Sequence, residues 1–300
     1  MSFLDSSPDP FHAVATSISL LEAAGYVPLS DPQQAYKGNL ERGGKYYFTK
    51  NGSTLIAFCV GEQYQPGNGF KIIGGHTDSP NLKIKPRSKK SGGGSSGCIQ
   101  LAVECYGGGL WHTWFDRDLG LSGRVMVRNE ETGAIEAQLV CMDRCLVRIP
   151  TLAIHLQTAK EREGFVVNKE DHLVPILASA AQEALETGSV NGDAKQNREE
   201  NDGWTEYQEP LLLNLLAAEL KVDKTQIVDF ELNLFDVQKS SLGGMHQEFL
   251  HSSRLDNLAS CFMAVKGLVE YSSGEGALVD DEDISMVALF DHEEVGSTSA

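Results

Sequence analysis

Two adjacent carboxylates near the end of the sequence have the residue types and spacing to do chemistry. Glu293 and Glu294 follow Asp291 and His292, directly after an apolar run at residues 286–290. Such a run is typical of a buried strand, and ligands bind at the carboxyl ends of strands in open α/β sheets. Adjacent side chains of an extended segment point to opposite sides. We therefore expect one glutamate to bind a cation and the other to move a proton, with a solvated acidic turn as the alternative.

A second predicted strand ends in a histidine and a carboxylate two residues apart, His76 and Asp78. That spacing puts both side chains on one face, so Asp78 can orient the imidazole or balance its charge. Asp256 opens a third segment with helical apolar spacing, where a helix N-cap is the simpler interpretation of that residue by itself. Histidine, aspartate and glutamate at three such places, with no cysteine cluster, predict a hydrolytic zinc centre.

Seven separate motifs, in one order, give the sequence a resemblance to a known family. They resemble the motifs of the aspartyl aminopeptidases, a family of co-catalytic zinc exopeptidases. The resemblance implies an α/β fold, a zinc-peptidase αβα sandwich interrupted by a β-rich dimerisation domain. It also implies assembly of dimers into a larger homo-oligomer, a dodecamer. The motifs are His76-Thr77-Asp78-Ser79-Pro80, Tyr106-Gly107-Gly108-Gly109, Trp114-Phe115-Asp116-Arg117-Asp118-Leu119, Arg148-Ile149-Pro150, Ala153-Ile154-His155-Leu156, Arg254-Leu255-Asp256-Asn257 and Asp291-His292-Glu293-Glu294-Val295-Gly296-Ser297.

The resemblance implies a role for each candidate residue of the metal site. His76 is expected to bind one zinc ion and Glu294 the other, and Asp256 is expected to bridge the two ions. Asp78 is then the orienting partner of His76, and Glu293 is the general base. Members of the family continue well beyond the Glu-Glu motif and supply further Asp and His ligands there. We therefore expect the 300-residue sequence to be a fragment of a longer enzyme or a shortened chain.

The implied function is removal of N-terminal Asp or Glu from peptides by water activated at two zinc ions. His155 lies in an apolar segment and would by default be a core histidine. In the family, the histidine of this motif reaches the active site of a neighbouring subunit, which makes His155 a substrate-binding candidate. Two alternatives stay open: a dizinc aminopeptidase or acylase of other specificity, and an inactive shortened chain that only binds full-length partners.

The composition limits the classes of partner and the cellular compartment. A formal net charge of −17 argues against binding to nucleic acid or to an anionic membrane. The sequence has no basic start followed by an apolar run, so neither a secretory signal nor a membrane span is expected. The six cysteines are scattered, which favours reduced thiols and a cytoplasmic location.

Composition shifts along the chain predict the domain boundaries. A basic run at residues 83–90, interpreted as a solvated edge strand, precedes a Gly/Ser tract at residues 91–97 that is typical of a flexible loop. Short alternating strands follow. We expect a catalytic domain at residues 1–90 and 232–300, with a β-rich dimerisation domain inserted at residues 91–231. Local signals predict a helix from Pro10 to Gly25 capped by Asp9, a hairpin at Asn51-Gly52, and a helix at residues 172–185.

Overall fold

The computed structural model describes residues 1–29, 40–90, 97–187 and 203–296. The helices are α1 (Ser2–Asp5), α2 (Pro10–Ala23), α3 (Ala159–Glu163), α4 (Ala180–Thr187), α5 (Pro210–Leu220) and α6 (Leu255–Tyr271). The strands are β1 (Val27–Pro28), β2 (Lys45–Lys50), β3 (Thr54–Val60), β4 (Phe70–His76), β5 (Asn81–Lys89), β6 (Cys98–Tyr106), β7 (Leu119–Arg128), β8 (Ile135–Val147), β9 (Ile176–Ser179), β10 (Ile227–Asp236), β11 (Ser241–Gly243), β12 (Phe249–His251) and β13 (Ile284–Phe290).

The chain forms two compact units. Unit 1 comprises Met1–Ser79 and Lys239–Ala300, and unit 2 comprises Pro80–Gln238. Unit 1 contains a mixed sheet in the order β1-β2-β3-β13-β4, in which β13 runs antiparallel to β3 and parallel to β4. Helices α2 and α6 pack on one face of this sheet. Their shared core includes Val14, Leu21, Leu55, Ala57, Cys59, Val265, Leu268, Val287 and Leu289.

Two predicted elements of unit 1 are confirmed. Helix α2 starts at Pro10, and the side chain of Asp9 accepts a hydrogen bond from the backbone N–H of His12 at 3.0 Å. This cap satisfies one of the first N–H groups of the helix, which have no partner within the helix. The β2–β3 hairpin turns at Asn51 and Gly52, both with positive φ. Asn and Gly tolerate that conformation at low cost, which is why the pair is a strong turn signal.

Unit 2 is the β-rich part of the molecule, so the predicted α/β chain with a β-rich insertion is confirmed. Its antiparallel sheet has the order β8-β7-β10-β5-β6-β9. Strand β5 lies between β10 and β6, so the basic run is an interior strand rather than the predicted edge strand. One face of β5 buries Leu82 and Ile84 in the unit 2 core, and Lys83 on the other face pairs with Glu231 at 2.8 Å.

The structure therefore divides the chain elsewhere than at the predicted residues 90 and 231. A boundary at 90 would assign β5 to the first domain, and a boundary at 231 would cut β10 in two. Both strands pair with each other and with other strands of unit 2. The basic composition of β5 was a misleading signal, because charged side chains also cover the outer face of an interior antiparallel strand.

The predicted helix at residues 172–185 is wrong in its first half. Ile176–Ser179 forms β9, which pairs with β6, and α4 begins only at Ala180. Short apolar runs do not distinguish strand from helix by periodicity, and here tertiary pairing decides for the strand. Residues 91–96 of the predicted Gly/Ser loop lie outside the described residues. Within the described ranges, no helix is long and apolar enough to cross a membrane.

Candidate metal centre

The pairing of β4 with β13 joins two of the predicted ligand segments. The strands are parallel, with Phe290 opposite His76, so both deliver their following residues to the same edge of the sheet. The backbone N–H of Thr77 continues the pairing by donating to the carbonyl oxygen of Phe290 at 2.8 Å. Residues more than two hundred positions apart in sequence thereby become neighbours at the carboxyl ends of the strands, where α/β sheets bind ligands.

Four predicted site residues meet at this edge. One potential ligand atom each of His76, Glu293 and Glu294 lies within 4.8 Å of the other two. Asp256 joins them, because its Oδ1 atom lies 3.4 Å from Nε2 of His76. Oε2 of Glu293 lies 4.0 Å from the same nitrogen. The structure thus collects an imidazole and three carboxylates in unit 1.

The imidazole of His76 is held from its other side. Nδ1 lies 3.0 Å from the backbone carbonyl oxygen of Asp78 and 3.4 Å from its carboxylate Oδ1. The ring is only 13% exposed. When Nδ1 carries the proton and donates it to Asp78, Nε2 presents its lone pair toward Asp256 and Glu293. This is the orientation that a metal ligand needs.

Asp256 does not cap a helix, contrary to the simpler interpretation of its sequence position. Helix α6 is preceded by Arg254 at the N-cap position, and Asp256 itself has non-helical backbone angles. Its side chain is 84% exposed and points toward the imidazole of His76. The local backbone therefore presents the carboxylate to the site instead of to the helix N-terminus.

The carboxylates of the site perturb one another. Burial raises the pKa of Glu294, and the negative charge of Asp78 raises it further, as do the charges of Glu293 and Asp256. Burial likewise raises the pKa of the neighbouring Asp291. A cation among these groups would favour their ionised forms. One imidazole nitrogen with several carboxylate oxygens is a donor set that Zn²⁺ accepts, so the residues present fit this metal.

Two residues that contact His76 were not predicted from the sequence. The side-chain oxygen of Asn257 accepts a hydrogen bond from the backbone N–H of His76 at 3.4 Å. Sγ of Cys261 donates to the carbonyl oxygen of His76 at 3.0 Å. Burial raises the pKa of the Cys261 thiol to about 12, so the protonated thiol can donate this hydrogen bond. Asn257 and Cys261 are four residues apart, which places them on one face of α6, and this spacing was the signal that could have identified them.

His155 belongs to unit 2, whereas the residues of the cluster belong to unit 1. It occupies the short 3₁₀ turn Ile154–Leu156 and is exposed, so it is not a core histidine. The flanking Leu152, Ile154 and Leu156 are exposed as well.

The candidate metal cluster and the two-unit fold agree with a family assignment. A family model described as "Aminopeptidase I zinc metalloprotease (M18)" matches residues 3–300. The chain belongs to the M18 zinc metalloproteases. This membership confirms the resemblance that the seven motifs carried.

Relatives and solved structures of M18 proteins give the extent of the match. The chain is 46% identical to "Aspartyl aminopeptidase" of Aspergillus oryzae and covers 61% of that protein, with 100% of the chain aligned. It therefore spans about three-fifths of the length of this curated relative. A structure titled "Cryo-EM structure of the Ape4 and Nbr1 complex" matches with a TM-score of 0.86 and 42% identity, covering 100% of this chain and 55% of that one. The Saccharomyces cerevisiae mApe1 dodecamer matches with a TM-score of 0.79 and 28% identity, over 99% of this chain and 60% of that one.

Proposed function

We propose that residues 1–300 belong to a zinc aminopeptidase that removes N-terminal Asp or Glu from peptides. The observation that carries the proposal is the cluster of His76, Glu293 and Glu294 at the joined ends of β4 and β13. The 46% identity to a relative named aspartyl aminopeptidase supports the acidic specificity.

In this proposal His76, Asp256 and Glu294 hold zinc. Asp256 would be the ligand shared by two ions; its exposed carboxylate faces the imidazole of His76, and Glu294 lies on the other side of the cluster, after β13. Zinc sites commonly have four ligands, so two ions require more ligands than these three residues supply. Other segments of the protein must provide them. The exposed apolar residues Phe70 and Ile72 on β4, the edge strand of the described part of the unit 1 sheet, support the presence of such segments.

Glu293 acts as the general base. Its side chain is exposed, and Oε2 lies 4.0 Å from Nε2 of His76, so the carboxylate is beside the proposed ligand atom, where it can receive a proton from the attacking water. It then delivers that proton to the leaving amine. When bound, zinc supplies Lewis-acid polarisation of the scissile carbonyl and of the attacking water.

The charge of the site favours one end of a peptide. The exposed carboxylate of Glu293, which is not a zinc ligand in this proposal, attracts a cationic α-amine, as an aminopeptidase requires. Its charge, and the net charge of −17, oppose an acidic side chain. Preference for Asp or Glu therefore depends on a local basic group that overrides the long-range repulsion.

His155 is proposed to complete the site of a neighbouring subunit in a homo-oligomer. Its exposed position among exposed apolar residues of unit 2 supports an interface, and a solved relative is titled a dodecamer. A neutral imidazole supplied there would donate a hydrogen bond to the developing negative charge on the carbonyl oxygen.

The six cysteines are free thiols, which supports the cytoplasmic location.

The test is metal content by mass spectrometry together with cleavage of Asp-Ala and Leu-Ala dipeptides by the full-length protein. We expect two zinc ions per chain and faster cleavage of Asp-Ala. Faster cleavage of Leu-Ala would indicate a dizinc aminopeptidase of other specificity. Absence of both zinc and cleavage would favour the inactive binding partner.

A further inference from the structure

Three consecutive side chains follow the ligand His76, and each is buried against a different part of the structure. Thr77, Asp78 and Ser79 are among the most buried polar residues of unit 1. We call residues 77–79 the anchor segment. Polar groups buried in this way are expected to have hydrogen-bond partners, and the identity of those partners shows what the segment holds.

Thr77 binds the anchor segment to β13 and to the β2–β3 hairpin. Its hydroxyl lies 2.8 Å from the carbonyl oxygen of Ser53 and 3.2 Å from that of Phe290, and shares its proton between them. The residue thus fixes the end of β13, from which Glu293 and Glu294 depart.

Asp78 binds the backbone of the two glutamates. Its Oδ1 and Oδ2 atoms accept hydrogen bonds from the N–H groups of Glu293 at 3.2 Å and Glu294 at 3.0 Å. These N–H groups begin the 3₁₀ turn Glu293–Val295, where a helical turn offers them no internal acceptor. A carboxylate that receives two backbone N–H groups forms charge-assisted bonds, which are stronger than neutral ones.

The same carboxylate is less well placed to orient His76. The nearest acceptor for Nδ1 of His76 is the backbone carbonyl oxygen of Asp78, at 3.0 Å, whereas Oδ1 is 3.4 Å away. The backbone of Asp78 thus suffices to set the imidazole, and its carboxylate is engaged with the turn that carries the glutamates.

Ser79 binds the third ligand segment. Its hydroxyl donates to the backbone carbonyl oxygen of Asp256 at 3.0 Å. The segment around Asp256 has non-helical backbone angles, so a contact to its carbonyl helps to define where the carboxylate points.

We propose that the anchor segment positions the whole site around His76, with the Asp78 carboxylate setting Glu293 and Glu294 and the Ser79 hydroxyl setting Asp256. The inference rests on the proposed function for the roles of these three carboxylates. The hydrogen bonds themselves involve only protein groups, so we expect them to form in the zinc-free protein as well. Such preorganisation of ligands by their supporting contacts strengthens metal binding.

The test is hydrogen exchange of backbone amides in the zinc-free full-length protein. Asp78→Asn keeps the side-chain shape but places an N–H₂ group against a backbone N–H. We expect exchange at Glu293 and Glu294 to accelerate by about ten- to a hundredfold, as expected for loss of hydrogen bonds to a charged acceptor. Ser79→Ala should accelerate exchange only near residues 255–257, and Ser79→Thr, which keeps the hydroxyl, should restore the original rate. In chelator competition, zinc binding should weaken by about tenfold or more in Asp78→Asn and Ser79→Ala.

Asp281→Asn is the matched control, because Asp281 is also a buried hydrogen-bonded carboxylate of unit 1 but contacts Lys71 and Tyr271. It should not accelerate exchange at residues 293, 294 and 255–257 beyond the change that its lower stability causes across unit 1 as a whole. Equal acceleration in this control would overturn the proposal in favour of general loosening. Unchanged exchange at Glu293 and Glu294 in Asp78→Asn, with weakened zinc binding, would assign the carboxylate to His76 instead. Exchange is measured without zinc or substrate, so it tests the positioning role separately from the proposed function. If exchange changes as expected but the protein cleaves no peptide, the proposed function is refuted and the positioning role stands.

Discussion

The carboxylates at the two ends of the β4–β13 pair have opposite electrostatic surroundings, which lower the pKa at one end and raise it at the other. At the amino end, Asp281 receives a hydrogen bond from Lys71 Nζ at 2.9 Å and from the Tyr271 hydroxyl at 2.5 Å. Burial acts to raise the pKa of Asp281, but these hydrogen bonds outweigh it and lower the pKa. At the carboxyl end, burial and the charge of Asp78 raise the pKa of Glu294.

The amino end of the strand pair therefore contributes to the stability of the fold, and the carboxyl end forms the candidate site. The amino end pairs its carboxylate with a cation and a hydroxyl from the protein, so ionisation of Asp281 favours the fold. The carboxyl end crowds carboxylates around one imidazole, and their ionisation is favoured only when a cation is added. Concentrated like charge that the fold does not neutralise is typical of a functional site.

Glu293→Gln should lower the turnover of the full-length protein by roughly two to four decades, because it removes the general base. Zinc content and thermal stability should be unchanged, and both are measured on the same preparation. Asp281→Asn, at the other end, should leave turnover per folded molecule unchanged. Loss of zinc in the Glu293 variant would show that Glu293, rather than Glu294, is the ligand.

Zinc should stabilise the protein only by binding at the carboxyl ends of β4 and β13. At a hundredfold excess of free zinc over its dissociation constant, linkage predicts about 2.7 kcal/mol of added stability, visible as a higher Tm. Asp256→Ala should abolish most of this shift, since it removes the proposed bridging ligand. Asp281→Asn should retain the full shift. A zinc-induced shift that survives in Asp256→Ala would rule out the bridging role.

Asp281→Asn should destabilise unit 1 by about 1–3 kcal/mol at neutral pH, the cost of removing a charged acceptor from buried hydrogen bonds. Because the folded-state pKa of Asp281 is lowered, its contribution is present above the unfolded-state pKa and is lost as pH falls through the folded-state value. Denaturant unfolding from pH 7 down to pH 3 should therefore show the variant and wild type converging below about pH 4. A constant difference down to pH 3 would contradict the stated shift.

The smallest effect on stability is expected for Glu294→Gln in the zinc-free protein. This variant should gain stability, whereas Asp281→Asn should lose it. The folded-state pKa of Glu294 is raised, so the protonated form favours the fold below the unfolded-state pKa and this stability is lost as pH rises through the folded-state value. The neutral variant should thus be slightly more stable than wild type at pH 7 and equal to it at pH 4. Denaturant unfolding at the two pH values measures the difference. Reduced stability of the variant at pH 7 would show that the site tolerates its charges without a cation.

The residue types of the site and several local elements could be predicted from the sequence alone. His76, Asp256, Glu293 and Glu294 were identified from their motifs, and the cap at Asp9 and the turn at Asn51-Gly52 follow from chemistry within a few residues. Capping and turn formation depend on short-range sterics and hydrogen bonds, so they can be predicted locally.

Which segments meet, in contrast, depends on long-range packing and strand pairing. The sequence pattern placed β5 in the first domain and made residues 172–185 one helix, whereas strand pairing put β5 inside the unit 2 sheet and drew residues 176–179 into β9. Likewise, the Asp78 carboxylate reaches the backbone of Glu293 and Glu294 only because β13 lies parallel to β4. Strand register and neighbour order depend on packing between residues far apart in sequence, and local periodicity is the same whichever neighbour a strand acquires.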